Sequence, residues 1–447
     1  MKRVKNLVPF SLIMLLILTT ISCGLMDLPK NLIGRFIPQS EKIEVRTTDN
    51  AAFLPGVTKS PEPTATNSAE PSSTYTIEPT LTTVPTQIEI SPQNTFMHRV
   101  NLERTGVYPG PGPKESPSLL WKFEAGDSIY SEPVVYEGVI YFGCHDGKLY
   151  AVDIETAELL WDFETDDTVL SPPAISEGVI YFGSDDGNVY ALDLETGYEI
   201  WKFKTGDWVS SSPTISDSMV IVGSYDGYLY ALDSLNGTEI WKFEVSGINN
   251  SAEGLKKGVG SSPAISGGVV LFGSAQIGGA SRELFFYGLD LMTGEMLWEF
   301  STWNVITSPV VYEGIVYFGT QGSFYGLNIK DGSLILDFDT GIVTTEPAVY
   351  DGVAFFGTQD GLVFAVDLEI GEEKWVFDAG SYINNAPSIS DGVVYFGLSN
   401  GLFYALNSEN GQILWEYDTN ERISTSPIIV NGSIFFGTDE GYLFTLN

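Results

Sequence analysis

The sequence predicts an all-β fold, an eight-bladed β-propeller of four-stranded antiparallel blades that is closed by an N-terminal strand in the last blade. Three observations predict it. A unit of about 40 residues recurs eight times, each unit divides into four strand-like runs at its turn residues, and the strand that the last unit lacks stands alone before the first unit. Repeats of this length with alternating apolar residues are typical of propeller blades.

One glycine marks the repeat most regularly, because it ends the second strand-like run of every unit. The eight positions are Gly143, Gly183, Gly223, Gly273, Gly319, Gly357, Gly397 and Gly437. Their spacings are 40, 40, 50, 46, 38, 40 and 40 residues. The longest two spacings lie on either side of Gly273, so the fourth unit carries insertions.

The third unit shows how each blade divides. Its strand-like runs are Val209 to Ile215, Met219 to Gly223, Tyr228 to Asp233 and Glu239 to Phe243. Asp226-Gly227 and Asn236-Gly237 lie between the later runs, and such pairs supply the positive φ angles that tight hairpin turns need. The pattern therefore predicts four antiparallel strands per blade.

A tryptophan recurs on the outermost strand of the predicted blades. The set is Trp121, Trp161, Trp201, Trp241, Trp298, Trp375 and Trp415, with Leu336 in the remaining place. We expect these side chains to pack between neighbouring blades, because a buried Trp covers about 150–250 Å². Truncating such a residue to Ala typically costs about 3–5 kcal/mol, so the column is expected to be a main source of stability.

The last unit indicates how the ring closes. The chain ends at Leu443 to Asn447, before any tryptophan strand, whereas Leu119 to Phe123 forms a tryptophan strand with no unit before it. We expect this N-terminal strand to complete the eighth blade. Closure of that kind removes an open sheet edge that would invite aggregation.

The first 93 residues are predicted to export and tether the propeller, which we place at residues 94–447. Residues 1–22 resemble a signal peptide, with Lys2, Arg3 and Lys5 before an apolar run that is too short to span a membrane. The following Cys23 lies in a segment that resembles a bacterial lipobox, which implies lipidation and a membrane anchor in the cell envelope. The alternatives are an ordinary signal peptide cleaved near Ser22 and an uncleaved anchor.

Residues 23–93 are rich in Pro, Thr and Ser from about Thr47 onward and have too few large apolar residues for a core. Proline favours extended polyproline conformations, so this segment is predicted to be a tether that holds the propeller clear of the membrane.

The charge of the chain excludes one class of partner. Asp and Glu number 58 against 22 Lys and Arg, which gives a formal net charge of −36. Such a chain would repel a phosphate backbone, so we expect no nucleic-acid partner. A solvated acidic surface explains the charge more simply than recognition of a basic partner.

The repeat resembles that of the pyrroloquinoline quinone (PQQ)-like propeller family over roughly residues 96–447. The residues that carry the resemblance are Trp201, the run Leu229 to Asp233, and Asn236-Gly237 before Trp241, which together give the spacing Ala-x-Asp-x-x-x-Gly-x-x-x-Trp. The segment from Met97 to Gly106 also resembles the lead-in found before many such propellers.

The resemblance implies the fold but not the activity. The family includes quinone-dependent dehydrogenases, the propeller lipoprotein of the outer-membrane barrel-assembly machinery, and extracellular sensor or adhesion modules. Its dehydrogenases carry adjacent cysteines over the quinone together with calcium-binding carboxylates. This chain has only Cys23 and Cys144. The resemblance therefore points to envelope lipoproteins rather than to quinone enzymes.

Few residues suit acid–base or metal chemistry. The chain has two histidines, His98 and His145. Cys144 beside His145 could suggest a nucleophile, but sister blades carry serine at the cysteine position and adjacent strand residues point to opposite faces. Asp185-Asp186 has no calcium-loop spacing. We predict no catalytic residue, no metal and no cofactor, with PQQ and calcium expected only if the chain is a divergent quinoprotein.

Departures from the repeat are the best indication of a binding site. Two insertions, 247–258 and 275–283, are expected to emerge on one face of the ring beside the fourth blade, and Trp208 and Trp303 lie in loops on that same face. The candidate binding residues are Trp208, Asn249, Asn250, Lys256, Lys257, Gln276, Arg282 and Trp303. Loops on a rigid scaffold commonly carry binding, although harmless insertion explains them as well.

A small polar residue lies two positions before the proline that opens each unit. The eight are Ser131, Ser171, Ser211, Ser261, Thr307, Thr345, Asn385 and Thr425. They could bind a small ligand or water at the channel mouth, but eightfold repetition favours one structural hydrogen bond per blade.

The sequence thus favours a non-enzymatic, monomeric envelope lipoprotein whose propeller is a scaffold that binds a protein or cell-surface ligand. A divergent PQQ-dependent oxidoreductase and an outer-membrane barrel-assembly scaffold are the alternatives.

Overall fold

The computed structural model describes residues 46–47, 95–245, 256–277, 283–303 and 307–447. Eight four-stranded antiparallel sheets follow one another as the blades of a ring, which confirms the predicted fold class. The predicted signal peptide and Cys23 lie outside the described residues, as does the predicted tether except for Arg46–Thr47. Within the described part of the chain, no helix is long and apolar enough to cross a membrane.

The strands of each blade run from the channel outward in chain order. Blade 1 comprises Val134–Tyr136, Val139–Gly143, Lys148–Asp153 and Leu159–Glu164; blade 2, Ala174–Ser176, Val179–Gly183, Asn188–Asp193 and Glu199–Lys204; blade 3, Thr214–Ser216, Met219–Gly223, Tyr228–Asp233 and Glu239–Glu244; and blade 4, Ala264–Ser266, Val269–Gly273, Glu283–Asp290 and Met296–Trp303. Blade 5 comprises Val310–Tyr312, Ile315–Gly319, Gln321–Asn328 and Leu334–Ile342; blade 6, Ala348–Tyr350, Val353–Gly357, Leu362–Asp367 and Glu372–Asp378; blade 7, Ser388–Ser390, Val393–Gly397, Leu402–Asn407 and Ile413–Asp418; and blade 8, Ile428–Val430, Ser433–Gly437, Tyr442–Leu446 and, from the N-terminal side, Leu119–Glu124.

Three further pairings extend this pattern. Thr95–Phe96 pairs with the inner strand of blade 2, and Arg46–Thr47 pairs with the outer strand of blade 4. Lys256–Gly258 pairs with Ala275–Ile277 as a separate two-stranded sheet beside blade 4.

The inner strands are shorter than the sequence pattern predicted. In blade 3 the strand is Thr214–Ser216, whereas the apolar run began at Val209. Pro213 explains the difference, because proline has no N–H to donate to a ladder and the pairing with the second strand begins only after it.

Neighbouring blades are joined through the tryptophans of their outer strands. The Trp161 indole donates to the Leu194 carbonyl of the next blade at 3.3 Å. Gly197 of that blade packs against the Trp161 indole. Its φ is 70°, and a Cβ at this position would come within 2.8 Å of the indole. A turn glycine and a tryptophan therefore form one interblade contact, and this is why the two residues recur at a fixed spacing.

The eighth blade is closed by the N-terminal strand, as predicted. Leu119–Glu124 pairs antiparallel with Tyr442–Leu446, and backbone hydrogen bonds join Ser118 and Asn447 in both directions. The Trp415 indole of blade 7 donates to the Pro113 carbonyl at 2.8 Å. Pro113 thereby replaces the turn between third and fourth strands that the eighth blade lacks.

Candidate functional site

The channel at the centre of the ring is filled by the chain's own lead-in, Met97–Tyr108, which we call the channel segment. Thr95–Phe96 enters beside the inner strand of blade 2. The carbonyls of the channel segment then accept hydrogen bonds from the middle residue of the inner strands of blades 4 to 7. The donor and acceptor pairs are Ile265 to Leu102, Val311 to Glu103, Val349 to Thr105 and Ile389 to Gly106, at 2.8 to 3.0 Å. The segment thus caps inner strand edges that would otherwise line an open channel.

His98 lies at the centre of this arrangement, between two carboxylates from different blades. Its Nε2 is 2.7 Å from Glu346 Oε2 of blade 6, and its Nδ1 is 3.2 Å from Glu132 Oε1 of blade 1. Both His98 and Glu132 are buried, and the Glu346 side chain is 23% exposed. We call these three residues the channel clamp, because they connect the segment to two separate blades.

Two buried arginines continue the network. Arg99 donates to the carbonyls of Pro387 and Pro347, at 2.9 and 3.1 Å. Arg104 donates to the Pro263 carbonyl at 2.7 Å and to the Thr214 hydroxyl at 2.7 Å. Each guanidinium therefore hydrogen-bonds to two different blades away from water, and the buried Arg99 Nε has no hydrogen-bond partner among the described residues.

The backbone of the channel segment is strained, which shows how firmly these contacts hold it. Arg99, Val100 and Arg104 have φ angles of 60°, 81° and 56°. Non-glycine residues in this region cost about 1–3 kcal/mol each and persist only where the surroundings fix them. Gly106, with φ of 67°, meets a further demand: a Cβ there would lie 2.2 Å from Arg99 Nη2.

The electrostatics of the clamp favour its charged form. Burial opposes protonation of His98, but Glu132 and Glu346 outweigh it and raise the His98 pKa above its ordinary value. Burial likewise opposes ionisation of both carboxyls, yet the charge of His98 is the largest favourable influence and the pKa of each is lowered. Burial lowers the pKa of Arg104 to about 10, which leaves it positive at neutral pH.

This geometry suits a structural clamp rather than a metal site or an acid–base pair. The two carboxylates bind opposite nitrogens of the same imidazole, so the three side chains do not converge on one point. The described residues contain no group of three His, Cys, Asp or Glu placed to hold a metal ion.

Sequence reasoning missed the clamp, although one signal was available. The residue directly before the unit-opening proline is Ser in four blades, Pro in one and Ala in one, but it is Glu132 in blade 1 and Glu346 in blade 6. These two glutamates, which differ from the repeat, are the ones that pair with His98.

Seven of the eight small polar residues two positions before each proline make one or both of two recurring contacts, whereas Asn385 donates to the Ile423 carbonyl at 3.0 Å. Ser211, Ser261, Thr307, Thr345 and Thr425 each accept the backbone N–H of the glycine that ends the second strand of their own blade, at 2.8 to 3.3 Å. Ser131, Ser171 and Ser211 also donate to the backbone carbonyl of the equivalent residue in the next blade. These hydroxyls hold the inner strands in register.

The ring has two distinct faces. The upper face carries the loops between blades and the turns between second and third strands, whereas the lower face carries the remaining turns. Thr95 pairs with Ser176 at the lower end of an inner strand, while His98 lies at the level of Glu132 at the upper end. The lead-in therefore enters the channel from the lower face.

The structure places several predicted binding residues on the upper face. Lys257 is the register partner of Gln276, with Lys256 beside it, so parts of the two insertions lie side by side. Trp303 ends the outer strand of blade 4 and pairs with Glu283. Trp208 is 39% exposed on the loop before blade 3. Asn249, Asn250 and Arg282 lie outside the described residues.

The Cys144 and His145 pair does not form a nucleophile and base. Cys144 is fully buried, and burial raises the pKa of its thiol to about 12. His145 instead packs against Tyr130, with ring centroids 5.0 Å apart and the ring planes tilted by 51°.

A pocket of about 370 Å³ opens on the lower face, between the channel segment and the inner turns of blades 3 and 4. Asn101, Glu103, Asp217 and Ser266 supply its polar lining. Its volume is near the lower end of the range usual for small-molecule sites.

Comparison with known proteins places this architecture in a family. The family model described as outer membrane protein assembly factor BamB matches residues 114–173, 167–302 and 285–447. The chain belongs to this PQQ-like propeller family. None of the curated proteins searched matches the sequence significantly.

Solved structures similar to this BamB-like chain include both an assembly factor and enzymes. BamB from Moraxella catarrhalis is 18% identical, with a TM-score of 0.61, and the match covers 74% of this chain and 100% of that one. A europium-containing methanol dehydrogenase is 14% identical, with a TM-score of 0.67 and coverage of 80% and 98%. The quinohemoprotein alcohol dehydrogenase of Comamonas testosteroni is 15% identical, with a TM-score of 0.67 and coverage of 78% and 80%. At these identities the likeness concerns the fold.

Proposed function

We propose that this chain is a non-enzymatic envelope lipoprotein, anchored through Cys23, whose propeller is a scaffold that binds a protein partner on its upper face. The observation that carries the proposal is the filling of the channel by Met97–Tyr108. A propeller whose axis is occupied by its own buried segment offers its outer faces for recognition, and those faces suit a macromolecule better than an enclosed small molecule.

The direction of the lead-in supports the choice of face. Thr95–Phe96 enters the channel from the lower face and Arg46–Thr47 pairs at the outer edge of blade 4, so neither described part of the N-terminal region covers the upper face. The upper face also carries the irregular insertions beside blade 4, which include Lys256, Lys257 and Gln276. Together these features favour display of the upper face away from the anchor.

A photo-cross-linking experiment tests the proposal in the native envelope. The full-length chain carries a photoreactive phenylalanine at position 208 on the upper face or, as a matched control, at position 198 on the lower face, where Tyr198 is 76% exposed. We expect one discrete protein adduct from position 208 and none from position 198. Substituting Lys256, Lys257 and Arg282 together by alanine should weaken that adduct without lowering the melting temperature.

Equal labelling from both positions, or no adduct from either, would contradict the proposal. A Cys23→Ser variant tests the anchor separately: we expect it to leave the membrane fraction, and retention there would argue against lipidation.

Barrel assembly is a more specific candidate, favoured by the match to the family model. If it is correct, the adduct at position 208 contains a component of the outer-membrane barrel-assembly machinery. An adduct with an unrelated surface protein would support the general scaffold role and oppose this one.

Quinone-dependent oxidation fits the described residues poorly. The channel segment takes up the ring axis, and Cys144 is the only cysteine among the described residues. We expect PQQ with calcium to leave the melting temperature unchanged, since a ligand that binds the folded state must raise it. A saturable increase would restore the enzyme alternative.

A further inference from the structure

One position on the upper face differs in residue type from blade to blade, whereas the residue directly before it is nearly constant in type. It lies two residues after the glycine that ends the second strand, and we call it the rim position. Its occupants in blades 1 to 8 are His145, Asp185, Tyr225, Ala275, Gln321, Gln359, Ser399 and Asp439. The residue before it is a small serine, threonine or cysteine in all blades but one. The turn therefore constrains its neighbour but leaves the rim position free to specialise.

The rim residue of blade 2 is a carboxylate held in a fixed orientation. Asp185 Oδ2 accepts the Thr168 hydroxyl at 3.0 Å, and its Oδ1 accepts the Ser210 hydroxyl at 2.8 Å. Each oxygen retains a further lone pair, because an ionised carboxylate accepts about four hydrogen bonds. The two hydroxyls come from the loops on either side of blade 2, so the carboxylate is preorganised.

No lysine or arginine forms an ion pair with this carboxylate among the described residues, and His145 of blade 1 is the imidazole whose charge acts on it. The lysines and arginines in described ion pairs bind other acids, as Lys148 binds Asp162 and Arg422 binds Asp439. Burial raises the pKa of Asp185 above its ordinary value. A partly desolvated carboxylate in this situation is stabilised by any cation that approaches it.

Aromatic residues lie on the same elements as a group that binds the carboxylate: Trp208 precedes Ser210 by two residues, and the Tyr225 N–H donates to the Trp208 carbonyl at 2.9 Å. On blade 3, Trp208 is 39% exposed and packs edge to face on Tyr225, with ring centroids 6.2 Å apart. On blade 1, His145 packs against Tyr130 in a tilted arrangement. Tyr225 is fixed from the other side, since a Cβ on Gly260 would lie 2.5 Å from its hydroxyl. An exposed ring near a carboxylate that forms no ion pair with lysine or arginine attracts a cation through both the ring face and the carboxylate charge.

We infer that Asp185, Trp208 and Tyr225 form a subsite on the upper face for a cationic side chain, a lysine or an arginine, of the protein partner. The inference rests on the proposed scaffold role and specifies what the partner presents. The net charge of −36 does not by itself indicate a basic partner, but it steers positive groups toward the surface and so assists their approach. Saccharides also bind to aromatic and carboxylate groups, but they do not supply the missing positive charge.

Ligand-observed NMR titration of the full-length chain tests the subsite without the partner. The probes are Nα-acetyl-arginine methylamide and Nα-acetyl-lysine methylamide, with the norleucine analogue as a neutral control and di-N-acetylchitobiose as the saccharide. We expect the two cations to bind saturably and more weakly as salt rises, with at least fivefold lower affinity for both controls. Equal binding of norleucine or preference for the saccharide would overturn the inference.

Two variants locate the binding. Asp185→Asn should weaken cation binding at least fivefold, and Trp208→Leu, at an exposed position, should weaken it severalfold even if the first variant folds poorly. Asp439→Asn is the matched control, because it alters a rim carboxylate that Arg422 already neutralises. Unchanged affinity in both test variants, or an equal loss in the control, would refute the subsite.

The basic residues of the blade 4 insertions provide the last test. One of Lys256, Lys257 and Arg282 could already fill the subsite. In that case the joint alanine variant will bind the probes at least fivefold more tightly than the wild type. This result would overturn the inference, because the cation would belong to this chain. Unchanged probe affinity supports a cation from the partner. Absence of any adduct from position 208, where the photoreactive phenylalanine keeps an aromatic ring, together with intact probe binding to the wild-type chain would contradict the scaffold role and leave the subsite standing.

Discussion

His98→Gln should destabilise the propeller strongly, because it removes the positive charge that Glu132 and Glu346 share inside the channel. Removing one partner of a buried ion pair typically costs about 3–5 kcal/mol. The nearby guanidiniums of Arg99 and Arg104 offset part of the carboxylate charge, so we expect about 3 kcal/mol. At roughly 2 °C per kcal/mol for a large domain, the melting temperature should fall by about 6 °C.

The pH dependence of this loss follows from the pKa shifts. The pKa values of both glutamates are lowered in the folded protein. Their contribution to the free energy of unfolding is therefore present above their ordinary pKa of 4.5 and is lost as the pH falls through the lowered pKa values. The pKa of His98 is raised in the folded protein. Its contribution to the free energy of unfolding is therefore complete below its ordinary pKa of 6.5 and is lost as the pH rises through the raised pKa. The deficit of His98→Gln should therefore be largest at about pH 5 to 6.5.

Calorimetric melting of both proteins across this pH range measures the effect, with His145→Gln as the matched histidine control. A triple variant with Gln at positions 98, 132 and 346 should recover only part of the lost stability, because the buried guanidiniums of Arg99 and Arg104 then lose the nearby carboxylates. A pH-independent deficit, or a melting temperature within 1 °C of the wild type, would refute the clamp.

Three further outcomes follow from the fold. Gly197→Ala should lower the free energy of unfolding by about 1–3 kcal/mol more than Gly178→Ala in urea titrations, because both have positive φ but only the first meets the Trp161 ring; equal losses would show that the ring contact is unimportant. Cys144 should resist iodoacetamide in the folded protein at pH 8 and react on unfolding, as mass spectrometry would detect; rapid native labelling would contradict its burial. Deleting residues 442–447 should expose the N-terminal closing strand and give aggregates in size-exclusion chromatography, and a monomeric product would argue against its closing role.

The repeat made the ring predictable from sequence. Gly183, Trp201 and their equivalents recur because turn geometry and interblade packing are the same in every blade. Comparison of one repeat with another therefore identifies these residues. The closing strand was predictable for the same reason. Trp121 lies on a tryptophan strand that has no other strands of its unit before it, so it must complete another unit.

The channel clamp was not predictable, because it joins residues that no local pattern relates. His98 and Arg99 look like solvated polar residues until eight distant blades enclose them, and their burial depends on the completed ring. The same holds for Asp185, whose Asp-Gly surroundings suggest an ordinary turn. That no described lysine or arginine forms an ion pair with it becomes visible only when the side chains of neighbouring blades are placed.

The closing strand also sets an order of events during synthesis. Ser118 and Asn447, which hydrogen-bond to each other, are 329 positions apart. A chain made at about 5–20 residues per second leaves the first of them waiting roughly 16–66 s for the second. Throughout that interval the apolar strand that begins at Leu119 has no partner, and seven blades can form while the eighth cannot. The ring is therefore a late product of its own biogenesis, and a truncated chain is left with a strand whose partner never arrives.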